Sequence, residues 1–154
     1  VTVKYGNGQA ALVASARQTP YEAARQMEFE RMVWIDSDIS WRVNDFLKLV
    51  ATDHDILTGA YLDELGRVVA TRLDGDRVSR EQLDTQEPFE IAWCGFGFIS
   101  LSKDVVAALP EPFIKDGEYG EDISFCFNAR NMGFKIFLDP TIKVTHHKTI
   151  AITP

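Results

Sequence analysis

With 154 residues, the chain has the size of one domain, residues 1–154, around one core. Its 45% hydrophobic and 25% charged residues make an ordinary globular composition, and no apolar run has the length of a membrane span. The net charge of −7 argues against nucleic acid as a main partner, because phosphate-backbone binders present basic surface. It leaves open a phosphorylated small molecule held through a metal, since clustered carboxylates suit hard divalent cations.

The sequence opens without Met on "VTVKYGNG", which reads as mid-strand. Asn7–Gly8 reads as a turn before the alanine-rich helix "QAALVASARQ". "TPYE" then predicts a fresh helix start, with Thr19 as N-cap, Pro20 at the first helical position and Glu22 closing a capping box, running to about Phe29. "RMVWID" is a short buried strand. "VNDFLKLVAT" places Val43, Phe46, Leu47 and Val50 at helical spacing, a helix lying back on a sheet. "DILTGAYL" and "RVVATRL" are strands around the turn "DELGR", and a polar loop, "DGDRVSREQLDTQEP", follows them.

"FEIAW" and "GFISL" are strands that flank Gly95 and Gly97, and Ser102 caps the short helix "KDVVAAL". After the Pro- and Gly-punctuated loop "PEPFIKDGEYG", the helix "EDISFCFNARNM" ends at Gly133 in the C′ role. "KIFLD" is a strand, followed by Pro140 and the strand-like "IKVTHH". Helices and strands alternate and then give way to hairpin-like strands. That order predicts an α/β/α sandwich with a mixed, mostly parallel sheet. Ligands of such folds sit beyond the carboxyl ends of the strands. Cys94 and Cys126 form no CxxC pair and sit among apolar neighbours, so they read as buried reduced thiols of a cytoplasmic protein.

Three D-x-D triplets occur, and their contexts separate them. "DHD" at 53–55 and "DGD" at 74–76 fall where turns are expected. "DSD" ends the apolar strand "MVWI" and is followed by Ile39 and Trp41. Residues i and i+2 of an extended chain face one side, so Asp36 and Asp38 repel one another unless a cation or a donor group lies between them. Oxygen ligands select Mg²⁺ or Mn²⁺, and an imidazole tilts the choice to Mn²⁺. His146 and His147 end the last strand, whereas His54 lies in a turn.

Glu121 and Asp122 open a helix, where the macrodipole alone favours acids. Asp122 also shares a face with Phe125, Cys126 and Ala129, which should be buried; a carboxylate on that rim is placed as a general base must be. Both readings of Asp122 stand on the sequence. Gly95 and Gly97 among aromatics mark a bulge or a close approach. They are no dinucleotide fingerprint, because no helix opens after them.

The series "ASAR", "MVWIDSDISW", "DILTGAY", "WCGFGFISLSKDVVAALPEPF" and "YGEDISFCFNARNMGFKIFLDPTIKVTHH" resembles the nucleotide-sugar glycosyltransferases of the GT-A fold, in the broad family-2-like group, over nearly the whole chain from Ala10 onwards. The resemblance implies a metal-dependent, inverting transferase that moves a sugar from a nucleotide-diphosphate donor to an acceptor hydroxyl. It implies a Mn²⁺ or Mg²⁺ site made by Asp36, Asp38 and His146, with His147 as the fallback, and Asp36 also facing the donor ribose. It places Arg17 near the donor, Asp122 as the catalytic base, Glu121 at the acceptor site, and Trp93 to Gly97, including Gly95, along the acceptor and sugar pocket. Members of this family open with a strand–helix unit that holds the nucleotide base. This chain starts at about the second strand, which implies an N-terminally incomplete core with the base pocket absent or differently built. A non-catalytic sugar- or metal-binding relative, and a metal-dependent phosphohydrolase or nucleotidyltransferase, are the alternatives.

Overall fold

The structure is a computed structural model that describes residues 13–113 and 119–148. The expected Asn7–Gly8 turn and the middle of the loop 110–120 lie outside the described residues. In chain order the elements are α1 (Val13–Arg25), β1 (Arg31–Ile35), β2 (Ile39–Ser40), α2 (Val43–Ala51), β3 (Ile56–Ala60) and β4 (Ala70–Thr71). After a 3-10 turn at Glu81–Asp84 come β5 (Phe89–Ile91), β6 (Trp93–Cys94), β7 (Phe98–Ser102), α3 (Lys103–Ala108), α4 (Glu121–Asn131), β8 (Ile136–Lys143) and β9 (Thr145–His146). Among the described residues no helix is long and apolar enough to cross a membrane.

A five-stranded sheet in the order β1-β7-β3-β8-β5 forms the centre. β7 runs antiparallel between β1 and β3, β8 is parallel to β3, and β5 is antiparallel to β8. Thus β1, β3 and β8 share one direction, the parallel set expected, with β7 and β5 reversed. Because β7 inserts between β1 and β3, β3–β8 is the parallel hydrogen-bonded pair among the described strands. β1 is half-buried along its length rather than buried, since it stands at the edge of the described sheet.

Strand alternation divides the apolar residues between two faces. Ile56, Ile99 and Leu101 pack with Tyr21 of α1, Val105 and Val106 of α3, and Phe125, Cys126 and Ala129 of α4. Leu57 and Phe98 turn the other way, towards Leu49 of α2. This is the expected α/β/α layering. Both cysteines are buried and unpaired.

Two helix expectations need correction. α1 is continuous through Pro20, where a break was expected, and it ends at Arg25 rather than Phe29. An interior proline removes one helix hydrogen bond at a cost of about 3 kcal/mol. Tertiary packing on both sides offsets that cost: Arg17 is tied down before the proline, and after it Tyr21 is fully buried, edge-on to Phe113 at 5.5 Å. In α2 the inward face is set by Asp45 and Leu49, while Val43 and Leu47 are 68% and 51% exposed. A cap satisfies the inward acid: Asp45 accepts from the Arg42 amide at 3.0 Å and from the Arg42 guanidinium at 2.9 Å, so the face that carries Asp45 and Leu49 is buried without an unpaired carboxylate while Val43 and Leu47 face out.

Pro140 lies inside β8 and not beyond its end. The register jumps there from Gly59↔Asp139 to Ala60↔Lys143, a bulge in which a residue without an N–H costs no ladder bond. Gly59 is required opposite it, because a Cβ would stand 2.5 Å from Ile142 Cγ2. Beyond β8, β9 pairs with β2 through Ile39↔His146 and Ser40↔Thr145.

Candidate functional site

Asp36 follows the last residue of β1, held by its amide donating to the Gly97 carbonyl at 2.9 Å. Its side chain accepts from the Trp34 indole at 2.7 Å on one oxygen and from Arg17 Nη2 at 3.1 Å on the other. Trp34 precedes Asp36 by two residues, so strand alternation puts both on one side. Arg17 reaches the same place from α1. Its Nη1 donates to Glu121 Oε1 at 3.1 Å and also to Asp122 Oδ1. The second Asp122 oxygen accepts from the Phe96 amide at 3.2 Å. Phe125, Cys126 and Ala129, which share the helix face of Asp122, are all fully buried, as the spacing required. Arg17, Asp36, Glu121 and Asp122 therefore form one cluster at the end of β1 and the start of α4.

Asp38 belongs to a second, outer group. Its Oδ2 is 3.1 Å from His146 Nε2 and accepts from Lys148 Nζ at 3.2 Å. Burial pushes the Asp38 carboxyl up, but the Lys148 hydrogen bond and the charges of His146 and Lys148 outweigh it, leaving its pKa below the ordinary aspartate value. His146 Nδ1 lies 3.2 Å from the Leu62 carbonyl. A protonated Nε2 donates to Asp38; with Nδ1–H on that carbonyl, loss of the Nε2 proton would leave a lone pair for an ion shared with Asp38, the arrangement of a metal-ligating histidine. The β2–β9 ribbon makes this meeting possible. His147, one residue on, faces away and lies 2.9 Å from Ser40 Oγ, so His146 is the histidine that Asp38 meets.

The glycines of "WCGFGF" answer to a side chain. A Cβ on Gly95 would stand 2.0 Å from the Tyr61 hydroxyl, and one on Gly97 3.1 Å from it. That hydroxyl accepts from the Gly97 amide at 3.1 Å, and burial holds its pKa well above the ordinary tyrosine value. The Tyr61 ring meets His146 edge-on at 5.4 Å, so the glycine segment seats the imidazole through Tyr61. Trp93 lies in β6 opposite Thr71 and packs against the main core. All three D-x-D triplets lie in turns or bends. After β1 the Ile39 amide donates to the Asp36 carbonyl at 3.1 Å, so Asp36 and Asp38 are not the same-side pair of an extended strand that the spacing predicted, and each joins a different group. Asp74 accepts from the Asp76 amide at 3.1 Å, and Arg31 holds the His54 carbonyl at 2.6 Å.

Tyr61, Trp34 and Lys148 are neighbours of the cluster that the sequence reading passed over, and Phe96, inside the expected Trp93–Gly97 segment, meets Arg17 and Asp122. The signal that would have found Trp34 and Lys148 is the period of two that relates them to Asp36 and His146. Nothing local flagged Tyr61, whose role depends on the hairpin after β3.

No group of three or more His, Cys, Asp or Glu side chains is gathered as a metal cluster among the described residues. The donor pair Asp38 and His146 nonetheless fits a divalent ion that takes its remaining ligands from substrate phosphates and water, as Mg²⁺-type sites do. Asp36 spends both carboxylate oxygens on Trp34 and Arg17 in this arrangement.

The fold is a mixed α/β sandwich of the GT-A type, with these residues gathered where β1 ends and α4 begins. No model of a known protein family matches the chain, and no curated protein matches it in sequence. Solved structures do match it. A197 from STIV has a TM-score of 0.66 at 17% identity, covering 95% of this chain and 81% of that one. GalNAc-T7, solved with UDP, GalNAc and Mn²⁺, has a TM-score of 0.61 at 16% identity, covering 90% of this chain and 31% of that one. The chain thus spans about a third of GalNAc-T7.

Proposed function

We propose that this protein is a metal-assisted glycosyltransferase that moves a sugar from a nucleotide-diphosphate donor to an acceptor hydroxyl with inversion. One juxtaposition carries the reading. Asp38 and His146 meet although they are 108 residues apart, and Asp122 lies across a single guanidinium from Asp36. Asp38 and His146 are the residues to hold Mn²⁺ or Mg²⁺. The bound ion would neutralise charge on the departing diphosphate. Asp122 takes the acceptor proton as the acceptor oxygen bonds to the anomeric carbon and the bond to the diphosphate breaks. A carboxylate has about four lone-pair positions, so hydrogen bonds from Arg17 and Phe96 leave Asp122 able to accept that proton. One base and direct displacement give inversion. Glu121 and the Trp93–Gly97 segment border the acceptor side. The UDP, GalNAc and Mn²⁺ of the GalNAc-T7 structure are in keeping with a donor of this class.

A non-catalytic sugar- or metal-binding reading draws on one observation, that both Asp36 oxygens are already engaged. Calorimetry against a panel of nucleotide-diphosphate sugars, with and without Mn²⁺, followed by an assay for free sugar and nucleoside diphosphate, separates the two. Transfer or donor hydrolysis that requires Mn²⁺, lost by about a hundredfold or more in Asp122→Asn with donor binding kept, supports the enzyme. Binding without turnover supports the module, and full activity in Asp122→Asn removes Asp122 from the base role.

A further inference from the structure

We propose that Arg17 is a positioning residue whose buried guanidinium fixes Asp122 relative to Asp36, and that it makes no contact with the donor. The proposal rests on the glycosyl-transfer reading for what the alignment serves, and on geometry alone for the alignment itself.

The Arg17 side chain is 7% exposed, so little of it faces any cleft a donor would enter. Its guanidinium lies over the Phe96 ring, 5.2 Å from the centroid. Three hydrogen bonds, from both terminal nitrogens, go to carboxylates from two regions of the chain: Nη2 to Asp36 after β1, and Nη1 to Glu121 and Asp122 in α4. The cluster holds three acids and one guanidinium. A diphosphate brought onto Arg17 would add negative charge where acids already outnumber the cation, a like-charge contact that costs binding.

What the arrangement does well is hold angles. A guanidinium is a planar fork with fixed N–H directions, unlike the point charge of an ammonium. Through that fork the end of β1 and the first turn of α4 are set at one separation. Phe96 closes the loop, because its ring carries the guanidinium while its amide donates to the other oxygen of Asp122. The Phe96 amide is thus a built-in reporter of whether Asp122 stays in place.

The test compares wild type with Arg17→Lys, which keeps the charge and loses the fork. Circular dichroism checks folding. If the lysine variant does not fold, Arg17→Gln combined with Glu121→Gln, which removes one acid together with the cation, takes its place. Three quantities are read: hydrogen exchange at the Phe96 amide, the Kd for UDP with Mn²⁺, and turnover at saturating donor. The expected result is Phe96 exchange faster by about tenfold or more while the α4 amides of Phe125 and Ala129 keep their protection. The UDP Kd should stay within about twofold, and saturated turnover should fall about a hundredfold, the cost of an ångström-scale misplacement. Unchanged Phe96 exchange overturns the proposal, as does a Kd weakened by about tenfold with saturated turnover intact, the mark of a donor contact. If wild type neither binds UDP nor turns over any sugar nucleotide, the glycosyl-transfer reading fails. Phe96 exchange still decides the positioning claim in that case.

Discussion

The inner and outer halves of the site solve the same problem, like charges held close, in opposite ways. Inside, the cation is Arg17, buried and shared among three acids from two regions of the chain. Outside, Asp38 meets His146 and the half-exposed Lys148 on a two-residue ribbon. A buried guanidinium is costly to lose and does not exchange for a solvent ion. An exposed ammonium on a short tether does. On the proposed reading, the inner half serves alignment and the outer half trades Lys148 for a divalent ion at Asp38.

The strongest way to break this contrast is Arg17→Met. It strands three partly buried acids without their cation, and urea unfolding should show a loss of about 3 kcal/mol. A loss below about 1 kcal/mol would place Arg17 with the surface pairs. Next comes Gly95→Ala, whose new Cβ collides with the Tyr61 hydroxyl. Overpacking of this kind costs about 2 kcal/mol, and Tyr61→Phe in the same chain should restore part of it, because it removes the clashing oxygen.

Asp45 supplies a control away from both halves. Hydrogen bonds from Arg42 hold its carboxyl below the ordinary aspartate range, against the opposing effect of burial. Its folded pKa is depressed, so its contribution is present above the unfolded value, about 4, and is lost as pH falls through the folded one. Unfolding free energies at pH 7 and pH 3 should therefore differ less in Asp45→Asn than in wild type, by about 1 kcal/mol, the worth of a helix cap. The smallest effect belongs to Lys148→Ala. Mn²⁺ binding, read by electron paramagnetic resonance, should tighten by no more than about fivefold, since exposed pairs contribute at most about 1 kcal/mol. A weaker Mn²⁺ affinity would instead make Lys148 a support that holds Asp38 in place for the ion.

The order of elements was legible in the sequence because capping and turn chemistry are local. Ser102 accepts from the Val105 amide as a cap, and Gly133 has the positive φ that its place after α4 called for. The errors came where tertiary packing overrode a local rule. Pro20 should end a helix, yet Tyr21 and Arg17 hold α1 through it. Val43 and Leu47 have the spacing of a buried stripe, yet they face out while the face that carries the capped Asp45 and Leu49 is buried. At the site, the residue types were readable and their partners were not. Asp122 on a buried helix face and Asp36 at a strand end followed from spacing. That one arginine joins them, and that Gly95 makes room for Tyr61, depended on which loops the fold brings together.

The ribbon of β2 and β9 also dates the site. Ile39 and Ser40 leave the ribosome more than a hundred residues ahead of Thr145 and His146, as the 108-residue span from Asp38 to His146 records. A nascent chain can settle α1, α2 and much of the sheet before β9 emerges. Asp38 gains its imidazole only after β1 to β8 have been made, so competence for the ion would follow the sheet that carries it.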